Sequence, residues 1–235
     1  MIKFVLFDLD GTLLPMDQDV FIKCYFNAIA KRLAMRGYQP EKLIGAILAG
    51  TNAMIKNDGK QTNEVVFWDK FAQIYGDKAR EDEPYFEEFY RLDFDKVKSS
   101  CRYNSKAKEV VDKVKDLGLR VALATNPIFP ALATQKRIAW SGLTTKDFEL
   151  YTTYENSRYC KPNLEFYKSV INELGVSAEE CLMVGNDVVE DMVAKKLGME
   201  VFLLTDCLIN KTQIDISEYP HGDFDALLKY VKTLI

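Results

Sequence analysis

Two carboxylates one residue apart, Asp8 and Asp10, close a short apolar run, Val5-Leu6-Phe7, and are followed by Gly11-Thr12-Leu13. The run suits a strand covered on both faces, which Gly11 then breaks. Residues i and i+2 of a strand share a face, so both carboxylates point into one space if the strand persists that far. Like charges held so close repel strongly at low dielectric, and a hard divalent cation such as Mg2+ is the usual compensation. Asp-x-Asp-Gly is also a common turn, because Asp and Gly both favour turn conformations. An EF-hand is excluded: after Gly11 come Thr, Leu, Leu and Pro, without the further oxygen ligands and closing Glu of that loop.

The elements that position this pair follow from periodicity. From Pro15 the pattern is helical for about ninety residues. Phe21, Ile22, Tyr25, Phe26, Ile29 and Leu33 recur at three- and four-residue steps and stop at Gly37; Pro40 opens a second helix. A third runs from Glu64 to Tyr75 and a fourth follows Pro84. This aromatic-rich set is expected to pack its own small helical core. From about residue 105 helices and strands alternate. Arg120–Ala124, Phe148–Thr152, Cys181–Val184 and Val201–Leu204 read as strands. Ala107–Leu117, 129–141, Asn163–Leu174, Val188–Leu197 and a final segment from Phe224 read as helices. Repeated strand-helix units imply an α/β fold, a Rossmann-like doubly wound parallel sheet with helices on both faces. The helical block is then an all-helical insertion emerging beyond Asp8, so residues 1–15 and 105–235 form the core and 16–104 the inserted domain.

Composition narrows the partners. With 235 residues, 48% hydrophobic and 28% charged, the chain can bury a full core. A net charge of −4 offers no global basic field for nucleic acid or an anionic membrane. Five scattered cysteines without a Cys-x-x-Cys pair favour free thiols in a reducing compartment. The chain runs straight into its first strand, so neither a signal peptide nor a membrane span is expected, and the cytoplasm is the default. His221, the single histidine, falls in an apparent loop and is expected at the surface.

Ligands of open α/β sheets bind at the carboxyl ends of strands. Three of these ends are polar here: Asp8 with Asp10, Thr125 with Asn126, and Asn186 with Asp187. Lys161 stands in a loop before a helix. Each has a structural reading of its own: a helix-start turn at Thr125-Asn126-Pro127, a surface lysine, a cap at Asn186-Asp187, a first-turn acid at Asp191. Their joint occurrence at successive strand ends is not well explained that way.

Together these four elements resemble the haloacid dehalogenase superfamily of phosphotransferases. The resemblance rests on Asp8-Leu9-Asp10-Gly11-Thr12, Thr125, Lys161 and Gly185-Asn186-Asp187 with Asp191. It spans essentially the whole chain, and the insertion stands where that family carries a helical cap. One departure is Gly-Asn-Asp, where members often have Gly-Asp or Glu-Asp. The resemblance implies Asp8 as nucleophile forming an aspartyl-phosphate, with Asp10 as acid and then base. Thr125, Asn126 and Lys161 would bind the substrate phosphate, with Lys161 also catalytic. Mg2+ would be held by Asp8, the Asp10 backbone carbonyl and Asp187, with Asn186 and Asp191 supporting.

The implied function is hydrolysis of a small-molecule phosphate ester, by a monomer or homodimer. A phosphosugar mutase would use the same residues. Dehalogenation is disfavoured by Asp10, since family dehalogenases work without metal and lack a general acid there. A phosphorylated receiver module also uses Asp, Thr, Lys and Mg2+, but its acidic pair precedes a separate nucleophile on a later strand and no helical insertion follows strand one.

Overall fold

Phe4–Phe7 (β1), Arg120–Leu123 (β2), Cys181–Gly185 (β3), Glu200–Leu204 (β4) and the short His221–Gly222 (β5) form one parallel sheet in the order β2-β1-β3-β4-β5. The computed structural model describes residues 1–235. Phe7 pairs with Leu123 on one side and Val184 on the other, so β1, β2 and β3 end together. The Asp8 N–H donates to Val184 O at 2.9 Å and the Ala124 N–H to Phe7 O at 2.7 Å. The strand order reverses between β1 and β3, the place where such sheets open a binding crevice.

Successive side chains of each strand go to opposite faces. Val5, Phe7, Val121, Leu123, Leu182 and Val184 join the larger apolar cluster, with Ser105–Asp116 (α6), Ala131–Trp140 (α7) and Phe224–Leu234 (α9). Phe4, Leu6, Ala122 and Met183 join the smaller one with Leu164–Leu174 (α8). Helices therefore cover both faces, as doubly wound folds require. All five cysteines are free thiols, and no helix is long and apolar enough to cross a membrane.

Three elements differ from expectation. Phe148–Thr152 pairs parallel with β2 through Glu149 N–H to Val121 O (2.9 Å), Leu123 N–H to Leu150 O (2.8 Å) and Thr152 N–H to Leu123 O (3.1 Å). With the single bridge Leu123–Tyr151 it does not extend into a full strand. Asn156 turns the chain away by accepting from Thr153 N–H at 2.7 Å and donating to Tyr151 O at 2.9 Å, a side-chain alternative to the strand ladder. Val188–Leu197 is not an α-helix: only Met192–Leu197 is helical, as a 3-10 turn. There the Asp187 carboxylate takes the N–H groups of Val189 and Glu190 (2.7 and 2.9 Å) as a helix cap does, its carbonyl accepts from Asp191 N–H at 3.0 Å, and the chain that follows tightens to the 3-10 turn. His221 is exposed as expected, yet belongs to β5 rather than a loop.

Between β1 and α6 lie Gln18–Leu33 (α1), Pro40–Ile55 (α2), Asn63–Tyr75 (α3), Lys78–Glu81 (α4), Glu83–Leu92 (α5) and a 3-10 segment, Phe94–Ser100. The outgoing and returning chains run side by side, with Met16 bridged to Cys101 and the Arg102 N–H donating to Pro15 O at 2.8 Å. The inserted helices do not keep a core of their own. Their aromatic rings are continuous with the larger sheet-face cluster through Phe21, Tyr25 and Phe94, which all meet Phe129. The start of α3 is also tied down: Asn63, fully buried, donates from its backbone to Ser157 O at 2.8 Å and from its side chain to Pro127 O at 3.2 Å.

Phe94 stacks on Trp140 of α7 at 5.0 Å between centroids and is the ring through which insertion and core share their packing. Truncating so buried a ring leaves a cavity as well as losing transfer energy. Phe94→Ala is expected to lower unfolding free energy by about 3–5 kcal/mol in urea titrations.

Candidate active site

The loop after β1 is a tight, self-bonded turn: Gly11 N–H donates to Leu14 O at 2.8 Å, and Leu14 N–H to Leu9 O at 2.8 Å. Gly11 holds φ +85°, and a Cβ there would lie 2.3 Å from Asn186 Nδ2, so the position needs glycine on both counts. The strand does not persist through Asp10, and the two carboxylates diverge. Asp8 turns to Lys161, whose Nζ donates at 3.0 Å to Oδ1. Asp10 turns to Arg137 of α7, which donates from Nη1 to Oδ2.

Lys161 is 1% exposed and lies between two carboxylates, with Asp191 Oδ1 at 2.6 Å opposite Asp8. Burial works against its charge, but Asp191 and Asp8 together hold its ammonium well above the usual lysine range. Burial pushes the Asp8 carboxyl up to about 7; Asp191 and Asp10 add to this while Lys161 pulls it down. Asp191 accepts from Asp187 N–H at 3.0 Å through its other oxygen. It reaches this position only because Gly185 has no Cβ, which would sit 2.1 Å from Asp191 Oδ2.

The Asn186 amide donates to Cys207 O at 2.7 Å, which aims its carbonyl at Thr12. Thr12 has one hydroxyl hydrogen for two acceptors, Asp8 Oδ2 at 3.2 Å and Asn186 Oδ1 at 3.0 Å, so one of these oxygens always lacks a donor. Asp187 uses Oδ1 on the turn that follows and leaves Oδ2 without a hydrogen bond. No three His, Cys, Asp or Glu side chains converge into a preformed ion site. The available donors are nevertheless all hard oxygens, carboxylate and amide, around one cavity, which fits a Mg2+-type cation that retains waters.

That cavity, about 180 Å³, is lined by Asp8, Asp10, Thr125, Asn126, Asn186 and Asp187 among others. Every residue singled out from the sequence therefore lies on it or, for Lys161, directly behind it through Asp8 and Asp191. Their engagement differs. The Thr125 hydroxyl has no protein partner, while its carbonyl accepts from Thr152 at 2.5 Å. The Asn126 side chain is engaged at both ends: Oδ1 accepts from Lys161 N–H at 3.2 Å and Nδ2 donates to Glu190 at 3.0 Å. It thus fixes the Lys161 backbone.

Three residues at the site were given no role by the sequence reading. Thr12 was legible as part of the Asp-Gly-Thr run. Glu190, which lines the cavity and is pushed up to about 8 by burial, stood between Asp187 and Asp191 in plain view. Arg137 carried no signal, since a lone arginine on an amphipathic helix reads as solvated.

Residues 2–198 match the model of the haloacid dehalogenase-like hydrolases. The chain is 34% identical over 95 residues to a Bacillus subtilis (strain 168) protein named "Putative phosphatase YhcW", a match covering 40% of this chain and 41% of that one. The chain thus spans less than half the length of that curated relative. The 2-haloacid dehalogenase of Pseudomonas syringae pv. Tomato DC3000 superimposes over 100% of both chains with TM-score 0.66 and 17% identity. YfnB of Bacillus subtilis, crystallised bound to magnesium, superimposes over 98% of both chains with TM-score 0.56 and 17% identity. At such identities the two structures show a shared fold.

Arg137 has no exposure and is fully ordered by its surroundings: Nη2 donates to Thr134 at 3.2 Å and the guanidinium lies 4.5 Å from the Phe129 ring centroid. Removing it leaves Asp10 beside an uncompensated hole. Arg137→Met is expected to cost about 3 kcal/mol of stability by denaturant titration, largely recovered in Arg137→Met/Asp10→Asn.

Proposed function

The chain belongs to the haloacid dehalogenase-like hydrolase family, and on that footing we propose that it is a Mg2+-dependent phosphomonoester hydrolase acting through an aspartyl-phosphate on Asp8. One observation carries the choice of phosphoryl over halide chemistry. Asp10, which lines the same cavity as Asp8, has Oδ2 clamped by Arg137 and Oδ1 buried without a hydrogen-bond partner. An oxygen so held suits a proton donor and acceptor for a leaving alcohol and then for water.

In the first step an Asp8 oxygen attacks phosphorus and forms the P–O bond as the bond to the alcohol oxygen breaks. Asp10 gives that oxygen its proton. In the second step water attacks the same phosphorus, Asp10 takes the proton, and Asp8 leaves as carboxylate with inorganic phosphate as product. Lys161 holds positive charge against Asp8 throughout, and Asp191 holds Lys161. The Thr125 hydroxyl, free of protein partners, would donate to a phosphoryl oxygen. Asn126 would act on the phosphate through the Lys161 backbone that it anchors. Asp8, the Asp10 carbonyl and Asp187 would hold Mg2+, with Asn186 adjacent; the ion supplies charge neutralisation between phosphate and carboxylates. We assign residues 1–15 and 105–235 to the catalytic core and 16–104 to a cap, a division supported by the Met16–Cys101 crossing. The free thiols favour a reducing, cytoplasmic setting.

Phosphate release from a panel of monoesters is expected to require Mg2+ and to vanish with excess chelator or in Asp8→Asn. Asp10→Asn is expected to lower kcat by about 10²–10⁴-fold. Full activity in Asp8→Asn, or halide release from a 2-haloacid in place of phosphate release, would contradict the proposal.

A further inference from the structure

A second and larger cavity, about 710 Å³, opens between the inserted helices and the loop before α7. It adjoins the carboxylate pocket, and Ile22, Ile128 and Phe129 line both. The organic part of a phosphate ester seated at Asp8 would lie next to Phe129 and this space.

The walls specify what fits there. Phe26, Phe67, Trp68, Tyr90, Phe129 and Tyr154 present aromatic surface from three sides. Phe67 stands edge to face with Trp68 at 5.3 Å, stacks on Phe71 at 5.8 Å and lies 6.4 Å from Tyr154, so the wall is a fixed aromatic surface that suits an aromatic guest. The charged groups on the rim are one-sided. Glu64, Glu83, Glu87 and Glu155 oppose a single guanidinium, Arg80, and Arg80 is already paired with Glu83 at 2.7 Å and with Asp69. Glu155 is engaged by the Ala131 N–H at 2.8 Å, whereas Glu64 and Glu87 have no side-chain partner. A leaving group carrying a carboxylate or a second phosphate would meet this negative rim with no free cation to receive it.

Resting on the phosphatase reading, we infer that the substrate is the monophosphate of an alcohol bearing an aromatic ring and no negative charge, bound with that ring in the Phe67–Trp68–Tyr154 pocket. The aromatic moiety could be a simple aryl group or a nucleobase on its sugar; both present the same flat, uncharged face.

The test measures binding and turnover side by side in Mg2+ buffer. Calorimetry on Asp8→Asn compares 1-naphthyl phosphate, adenosine 5′-monophosphate and phosphoglycolate, and kcat/KM is measured on the wild type. At least one aromatic ester is expected to bind tenfold or more tighter than phosphoglycolate. Thr51→Trp, which fills the cavity from α2, and Phe67→Ala, which removes one wall, are each expected to erase most of that margin while leaving phosphoglycolate binding unchanged. Equal or tighter phosphoglycolate binding, or a margin intact in both variants, overturns the inference. Tight, variant-sensitive aromatic binding without any wild-type turnover leaves the pocket assignment standing and overturns the phosphatase reading instead.

Discussion

A lysine ammonium shut away from water is held between two carboxylates, and the site is built around that contact. Lys161 comes from the loop before α8, Asp8 from the end of β1 and Asp191 from beyond β3. A buried charge is tolerated only while it is paired, and removal of either partner would leave it uncompensated. These three segments must therefore converge within hydrogen-bond distance. The parallel register of β1 and β3 brings the strand ends level, and Gly185 lets Asp191 close over the end of β3. Asn126 fixes the backbone from which Lys161 reaches inward.

Around this contact the charges do not balance. Asp8, Asp10, Asp187, Glu190 and Asp191 surround the region, against Lys161 and Arg137. The two cations divide the acids between them. Lys161 serves Asp8 and Asp191, while Arg137 holds Asp10 Oδ2 at the wall of the cavity that Asp8 also lines. The Asp-x-Asp pair thus does two different jobs because two cations on different elements pull it apart. The surplus of negative charge is what a divalent cation would offset before a phosphate dianion could enter. On the other side of Phe129 the lining turns from oxygen to aromatic carbon, so two adjoining cavities keep reacting charge apart from apolar surface.

Much of this was legible in the sequence because it depends on short-range rules. Apolar runs ending in Asp8, Thr125 and Asn186 located three strand ends, and Gly37 and Pro40 punctuated helices where the structure has them. What stayed hidden depends on long-range packing or on side chains competing with the backbone. Arg137 lies 127 residues from its partner, and nothing in its own helix marks it as buried. Asn156 takes the Thr153 N–H and ends the pairing beside β2 after Thr152, and the chain after Asp187 tightens to a 3-10 turn, neither of which periodicity reports. The inserted helices have the aromatic content of an independent core, but Phe129 completes their packing from outside, and periodicity does not report partners.

The central claim is that Asp8 itself carries the phosphoryl group. Peptide mass spectrometry of enzyme quenched in acid during steady-state turnover of a phosphomonoester with Mg2+ tests this directly. The account predicts one added HPO3 group on the peptide containing Asp8, located at Asp8 by fragmentation and absent without substrate. Turnover with Asp8 unmodified, or with the phosphoryl group on another residue, would contradict it.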